Sequence, residues 1–278
     1  MAAGHHRSAA GQTEGESGMK QYVVDVFTET VFGGNPTAVC LMEEWLPDAV
    51  MLQIAQENHL SETAFVRKQD GRYGLRWFTV VREIPLCGHA ALGAAYVVLR
   101  FCEPGAEAVS FDTMGGTLTI RRQGNRCGMK IPGWPLTEVP VTDEMEAAIG
   151  IRPAAAYLGR DLLCVMASEE DVRRAAPDRE RVKALPGLLL NLTAAARGYD
   201  CVVRSFAPKL AVDEDPACGS GQCHAFAYWA QVTGKRAFCG WQASRRGGTV
   251  YGRMEPDGIC LSGTSALFSE AEIYPEGK

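Results

Sequence analysis

The sequence predicts a mixed α/β (α+β) protein of two similar halves, each built as strands around a buried helix. Short runs rich in β-branched residues alternate with turn signals along most of the chain. One pattern also occurs twice, a cysteine and a glycine at the start of an apolar helix, in Cys87-Gly88 and in Cys218-Gly219. A chain of 278 residues, 46% of them hydrophobic, is long enough to form two such halves.

The first half is predicted to be mostly strand, with two helices. Residues 47–58 carry apolar side chains on one helical face, and Pro47 and Asp48 suit a first helical turn. Residues 89–99 are apolar on nearly every side, so this helix must be enclosed by the strands. The predicted strands are 22–27, 37–41, 63–67, 74–79, 108–112, 117–121 and 127–131.

The second half is predicted to repeat this scheme. Its central helix is expected at 222–232, and two short surface helices with acidic residues near their starts are expected at 143–149 and 169–176. The predicted strands are 162–166, 188–192, 199–206, 249–253 and 258–261.

A turn-rich segment, 132–135, marks the boundary between the halves. We expect residues 19–130 to form the first half, with 265–276 returning to it, and residues 131–264 to form the second. Residues 1–18 are rich in Gly, Ala, Ser and Glu and show no periodicity, so a tag or disordered leader is expected there.

Composition and charge exclude several classes of protein. The net charge is −5 and no basic cluster is present, which argues against nucleic-acid binding. No apolar run is long enough to span a membrane or to form a signal peptide, so we expect a soluble, cytoplasmic protein without a membrane partner. Ten cysteines in such a chain are expected to be free thiols.

The two cysteines of the repeated pattern are candidates for proton transfer. A helix start offers unpaired N–H groups and the positive end of the helix dipole, which bind an anion and favour a thiolate. Cys87 and Cys218 are placed to gain from this, and a carboxylate precedes each of them, Glu83 in the first half and Asp215 in the second. The alternative, inert buried thiols, remains open on the pattern alone.

Other candidates surround these helix starts. Gly88, Gly219 and Gly221 would let a substrate approach the backbone closely. His89 opens the first helix, where it is either a site residue or a satisfied core histidine. Asn35 follows two glycines and is expected in a turn from which it could reach a ligand.

Glu62 is the candidate general base. It follows a predicted helix and opens a strand, where a carboxylate can face a cleft, and enclosure would raise its pKa toward the range of a general base. A solvated glutamate at a strand start is the alternative. No metal site is predicted, because Cys223-His224 after Cys218 lacks the usual spacing of zinc ligands.

At these residues the chain resembles the PhzF-like isomerases of phenazine biosynthesis, which share the diaminopimelate epimerase fold. The resemblance extends from about residue 19 to the C-terminus. The motifs that carry it are FGGNPTAV (32–39), LSETAFV (60–66), EIPLCGHAALGAA (83–95), FAPKLAVDEDPACGSG (206–221) and QASRRGG (242–248).

The resemblance implies two pseudo-symmetric halves, each a strand barrel around a central helix, with the site in the cleft between them. It implies a homodimer and a reaction on a small carboxylate that needs no cofactor. Glu62 would move a proton between substrate carbons, while His89, Asp215 and Ser220 would position the carboxylate and assist the transfer.

Two departures keep alternatives open. Many relatives have threonine where Cys218 stands, and the phenazine enzymes lack a thiol at Cys87, so the pair resembles the two thiols of diaminopimelate epimerase or proline racemase. Relatives usually have proline after the Phe78-Thr79 pair, which puts the shape of this loop in doubt. The alternatives are therefore a two-thiol racemase or epimerase, and a binding protein that has kept the fold without turnover.

Overall fold

The computed structural model describes residues 18–69 and 71–275. These residues contain seventeen strands and six α-helices. The predicted leader lies outside this part, apart from Gly18. The helices are α1 (Asp48–Asn58), α2 (Gly88–Val97), α3 (Asp143–Ile149), α4 (Glu169–Arg174), α5 (Arg179–Ala184) and α6 (Gly219–Thr233).

The strands fall into two successive sets. Those of the first set are β1 (Met19–Val26), β2 (Asn35–Met42), β3 (Thr63–Gln69), β4 (Arg72–Phe78), β5 (Glu83–Ile84), β6 (Ala108–Thr113), β7 (Gly116–Gln123) and β8 (Arg126–Ile131). Those of the second are β9 (Thr137–Val139), β10 (Ala155–Leu158), β11 (Leu162–Val165), β12 (Leu190–Ala194), β13 (Cys201–Ala207), β14 (Val212–Asp215), β15 (Ala237–Gln242), β16 (Gly248–Glu255) and β17 (Gly258–Ile273).

The first half is a closed ring of strands around α2. Pairing runs from β1 through β2, β3, β4, β6, β7 and β8 to β17, which pairs back with β1. The pairs β2–β3 and β4–β6 are parallel, since a helix crosses between their strands. Eight of the ten residues of α2 are buried, as its all-round apolar sequence predicts.

The second half repeats the pairing pattern of the first. The pair β11–β12 is parallel, as β2–β3 is, and β13–β15 is parallel around α6, as β4–β6 is around α2. The strands of the second half enclose their helix less completely. In α6 the residues from Gly219 to Phe226 are buried, except Ser220, whereas Val232 near its end is 58% exposed.

Strands β8 and β17 join the halves. Residues 258–264 of β17 pair with β16 on one side and with β8 on the other, and residues 265–273 pair with β1. One apolar core includes Leu92 on α2 and Phe226 on α6, so the two central helices share it. No helix of the described residues is long and apolar enough to cross a membrane. All ten cysteines are free thiols, as predicted.

Several elements differ from the sequence prediction. The central helix of the second half begins at Gly219, three residues before the predicted start, and β17 continues to Ile273. Strands β5, β9, β10, β14 and β15 and helix α5 were not predicted. In β15, Gly240 interrupts the apolar alternation because a Cβ there would collide with Gln222 and Phe226 of α6.

Candidate active site

The side chain of Asn35 connects the two halves at the starts of their central helices. Its amide Nδ2 lies 3.3 Å from Nδ1 of His89 and donates to Oδ1 of Asp215 at 2.9 Å and to the carbonyl of Ala217 at 3.2 Å. Asn35 is fully buried at the beginning of β2. A single amide thus links the first residues of α2 to the loop that precedes α6.

Glu62 and His89 face each other on the first-half side. Glu62 lies between α1 and β3, where Thr37 holds its backbone carbonyl at 3.1 Å. Its Oε2 lies 3.2 Å from Nε2 of His89, without the alignment of a hydrogen bond. The Asn35 amide has two hydrogens, which Asp215 and Ala217 accept, and Nδ1 of His89 is a third polar neighbour at 3.3 Å.

The protonation equilibria of these groups are strongly shifted. Burial, with a further contribution from the charge of Asp215, raises the pKa of Glu62 to about 7, and a contact from the Cys87 thiol partly opposes the rise. Burial lowers the pKa of His89 to about 3, so the ring stays neutral. Near neutral pH, Glu62 is therefore divided between its acid and its base form.

Asp215 is the second buried carboxylate of the site. It ends β14 and accepts hydrogen bonds from Asn35 and from the backbone N–H of Ala217. Burial raises its pKa to about 6, against the effect of hydrogen bonds from Cys218 and Ala217. The Gln222 amide donates to Gln242, whose own amide lies 3.5 Å from the carbonyl of Asp215.

Both cysteines of the repeated pattern are the N-cap residues of their helices, but only the Cys218 thiol forms a capping hydrogen bond, and neither thiol is favoured as a thiolate. Cys87 Sγ lies 3.5 Å from Nδ1 of His89, and Cys218 Sγ accepts from the N–H of Gly221 and lies 3.4 Å from Oγ of Ser220. Burial, with the nearby carboxylates, raises the pKa of both thiols. Burial therefore opposes the thiolates that the helix starts were expected to favour, because desolvation outweighs the helix dipole.

Two further expectations change in the structure. Glu83 does not correspond to Asp215, since its carboxylate forms a bidentate pair with Arg76; in the first half the site carboxylate is Glu62. Gly221 is required by packing, because a Cβ there would collide with Ser205 and Asn191.

The other predicted glycines lie at the helix starts. A Cβ on Gly219 would press on Leu261, whereas one on Gly88 would approach Met129 at 3.1 Å. Their backbone N–H groups remain the candidates for binding an anion.

Sequence reasoning did not assign a role to Arg246, which holds the loop before Asn35. Its guanidinium donates to the carbonyls of Gly33 and Gly34 at 2.9 Å and to Asp25 at 2.7 Å. Arg246 belongs to the QASRRGG motif of the second half, so this motif could have indicated a contact between the halves.

Two groups of side chains are candidate metal ligands. His224 uses both ring nitrogens within the protein, one with the carbonyl of Ser220 and one with the N–H of Asp161. By contrast, Glu62, Cys87 and His89 offer one ligand atom each within 4.8 Å of one another.

Two surface concavities of the described residues lie away from this site. One, of about 550 Å³, is lined by residues such as Trp45, Arg76 and Met114, and the other, of about 330 Å³, by residues such as Arg204 and Phe206. Neither includes a residue of the Glu62–His89–Asn35–Asp215 set, where buried titratable groups converge.

Comparisons with known proteins show the family of this chain. The sequence pattern of the family described as "Phenazine biosynthesis-like protein" (PhzC-PhzF) matches residues 24–271. An uncharacterized isomerase of Pseudomonas aeruginosa is 36% identical over 253 residues, 91% of this chain and 98% of the relative. A PhzF-family crystal structure from Enterococcus faecalis has a TM-score of 0.90 and 40% identity, covering 92% of this chain and 99% of that one. The chain belongs to the PhzC-PhzF family.

A more distant likeness shows the fold alone. The crystal structure of a hydroxyproline epimerase from Agrobacterium vitis has a TM-score of 0.61 at 9% identity and covers 92% of both chains. The predicted fold class is confirmed by these structures. The prediction of an isomerase is confirmed at the level of enzyme class, since several curated relatives carry that name.

Proposed function

We propose that this protein is a cofactor-independent isomerase that moves a proton on a small carboxylate-bearing substrate, with Glu62 as general acid and base. The observation that carries the proposal is the pairing of Glu62 with a neutral His89 in a buried site. A carboxylate with a pKa of about 7 can both remove a proton near neutral pH and return it.

The neighbouring residues have distinct roles in this reaction. Glu62 takes a proton from a carbon beside the substrate carboxylate, and the resulting acid returns it to another carbon. His89, in contact with Asn35, is proposed to orient Glu62, whose Oε2 lies 3.2 Å from Nε2. Asp215, on the other side of Asn35, is placed to assist proton transfer from the second half.

The substrate carboxylate is proposed to bind at the starts of α2 and α6. The first N–H groups of a helix have no partner within the helix, and the dipole favours an anion there. Gly88, Gly219 and Ser220 supply these groups, and Ser220 adds a hydroxyl within 3.4 Å of Cys218 Sγ. Two such helix starts would offset the repulsion between the substrate and the two site carboxylates.

A heavy-water exchange screen tests this proposal. The purified protein is incubated in heavy water with amino acids, hydroxyprolines and cyclohexadiene carboxylates, and deuterium uptake is read by mass. We expect uptake into at least one compound, lost with Glu62→Gln. Deuterium uptake that survives this substitution would contradict the role of Glu62.

A two-thiol racemase or epimerase is the second candidate. It is favoured by the placement of Cys87 and Cys218 at equivalent helix starts, each beside a polar group of the site. In this mechanism one thiolate removes an α-proton and the opposite thiol returns one. If exchange is abolished by Cys87→Ser and by Cys218→Ser but survives in Glu62→Gln, this mechanism replaces the first.

We further propose that the protein acts as a cytoplasmic homodimer, as the resemblance to PhzF-like isomerases implies. Light scattering of the purified chain measures its mass, and a monomer would contradict the dimer. Absence of exchange with every compound of the panel, together with tight binding of a protein partner, would favour a non-catalytic binding role.

A further inference from the structure

Glu62, Cys87 and His89 combine the three donor types that bind zinc in proteins. Carboxylate oxygen, thiolate sulfur and imidazole nitrogen are its usual ligands, and catalytic-type sites use three protein ligands with a position left for water. One ligand atom from each residue lies within 4.8 Å of the other two. Tetrahedral zinc with ordinary bond lengths separates its ligand atoms by about 3.3–3.7 Å, so a modest contraction would complete the site.

Individual contacts within this set are already close to that spacing. Glu62 Oε2 lies 3.2 Å from His89 Nε2, which is already at that spacing, whereas Cys87 Sγ lies 3.5 Å from the other ring nitrogen, Nδ1, and would have to turn toward Nε2. Glu62 Oε2 and His89 Nε2 are buried without a hydrogen-bond partner. A buried polar atom without a partner is costly, and a cation between these atoms would remove that cost.

The charge of the surroundings also favours a cation. Asp215 adds a second carboxylate near Glu62, and in the described part of the chain neither is paired with a lysine or an arginine. The Glu62 side chain is 14% exposed, which leaves a route from solvent.

We propose that Glu62, Cys87 and His89 form a binding site for a thiophilic divalent cation such as Zn²⁺, which blocks the active site when bound. On binding, the Cys87 thiol releases its proton to solvent and its sulfur becomes a ligand. The ring proton of His89 occupies Nδ1, so that Nε2 binds the cation, and Glu62 Oε2 ceases to be available as a base. The blocking of the active site rests on the proposed function, whereas cation binding itself is measured without a substrate.

The repeat within the chain provides a matched control. Cys218 occupies the equivalent helix start, but Ser220 stands there where the first half has His89. Only the first half therefore offers the three-donor set. His5 and His6 outside the described residues are a possible background for metal binding, and both remain in every variant compared.

The test uses the full chain, stripped with a chelator and titrated with Co²⁺ as a spectroscopic probe and with Zn²⁺ against a competing dye. We expect a near-ultraviolet thiolate-to-cobalt band in the wild type and in Cys218→Ser, and its loss in Cys87→Ser. Loss of a group that only orients a ligand weakens metal binding about 10–100-fold, so Cys87→Ser should weaken Zn²⁺ binding at least that much.

A wild type without the thiolate band, or a Cys87→Ser variant that binds Zn²⁺ as the wild type does, would overturn the proposal. If Cys87→Ser does not fold, the rates at which the wild-type cysteines are alkylated with and without Zn²⁺ test the proposal instead. Zn²⁺ should slow labelling of Cys87 at least about tenfold and leave labelling of the exposed Cys102 unchanged. Equal rates with and without Zn²⁺ would also overturn it.

Discussion

Replacing Glu62 with glutamine should change how stability depends on pH. The pKa of Glu62 rises from an ordinary 4.5 to about 7 on folding. Between these values the folded protein keeps a proton that the unfolded chain has released, so the stability from this group is fully present below 4.5 and is lost as the pH rises through 7. At 1.36 kcal/mol for each pKa unit, the loss is about 3 kcal/mol.

Urea unfolding of the wild type and Glu62→Gln measures this difference. The glutamine has nearly the same shape and no charge, and both proteins keep Asp215, so the comparison isolates the carboxylate of residue 62. Relative to the wild type, the variant should gain up to about 3 kcal/mol in free energy of unfolding between about pH 5 and about pH 8. Parallel pH profiles would refute the argument that burial makes Glu62 a neutral-range acid.

Three further outcomes follow from the packing. When the folded protein is alkylated at about pH 7, the exposed Cys102 should be modified before Cys87 and Cys218, because these two thiols are buried and have a raised pKa. Peptide mass measures the labelling, and labelling of Cys87 or Cys218 as rapid as that of Cys102 would contradict this. Gly240→Ala should cost about 1–3 kcal/mol in urea unfolding because its Cβ overlaps α6, and an unchanged midpoint would contradict the overlap. Arg246→Lys should slow deuterium exchange about 10–100-fold by displacing the loop before the site, with the circular dichroism spectrum unchanged; full exchange activity would show that the loop does not depend on this guanidinium.

Local patterns predicted the central features of the fold. Helix α2 is apolar on all sides, which required the enclosure that the structure shows. Helix α3 has the predicted bounds, 143–149, and it begins with the acidic residues that indicated its start. The repeated Cys-Gly pattern marks equivalent crossovers, β4–α2–β6 and β13–α6–β15, and so indicated the two related halves.

Other features depend on contacts between distant residues. The order of residues before Cys87 suggested Glu83 as a site carboxylate, but its partner Arg76 on the neighbouring strand binds it instead. The preference of the thiols for the protonated state follows from burial, which a helix start alone does not reveal. Likewise, the three polar neighbours of the Asn35 amide come together only when both halves are assembled.

Deuterium exchange by Glu62→Gln, set against the wild type on a substrate found in the screen, tests the central claim most directly. A general base typically contributes about 10²–10⁴-fold to proton transfer, so at neutral pH the variant should exchange slower by about that factor. If circular dichroism shows that the variant keeps the wild-type fold, the slower exchange is due to the missing carboxylate. Exchange within about twofold of the wild type would contradict the claim that Glu62 moves the proton.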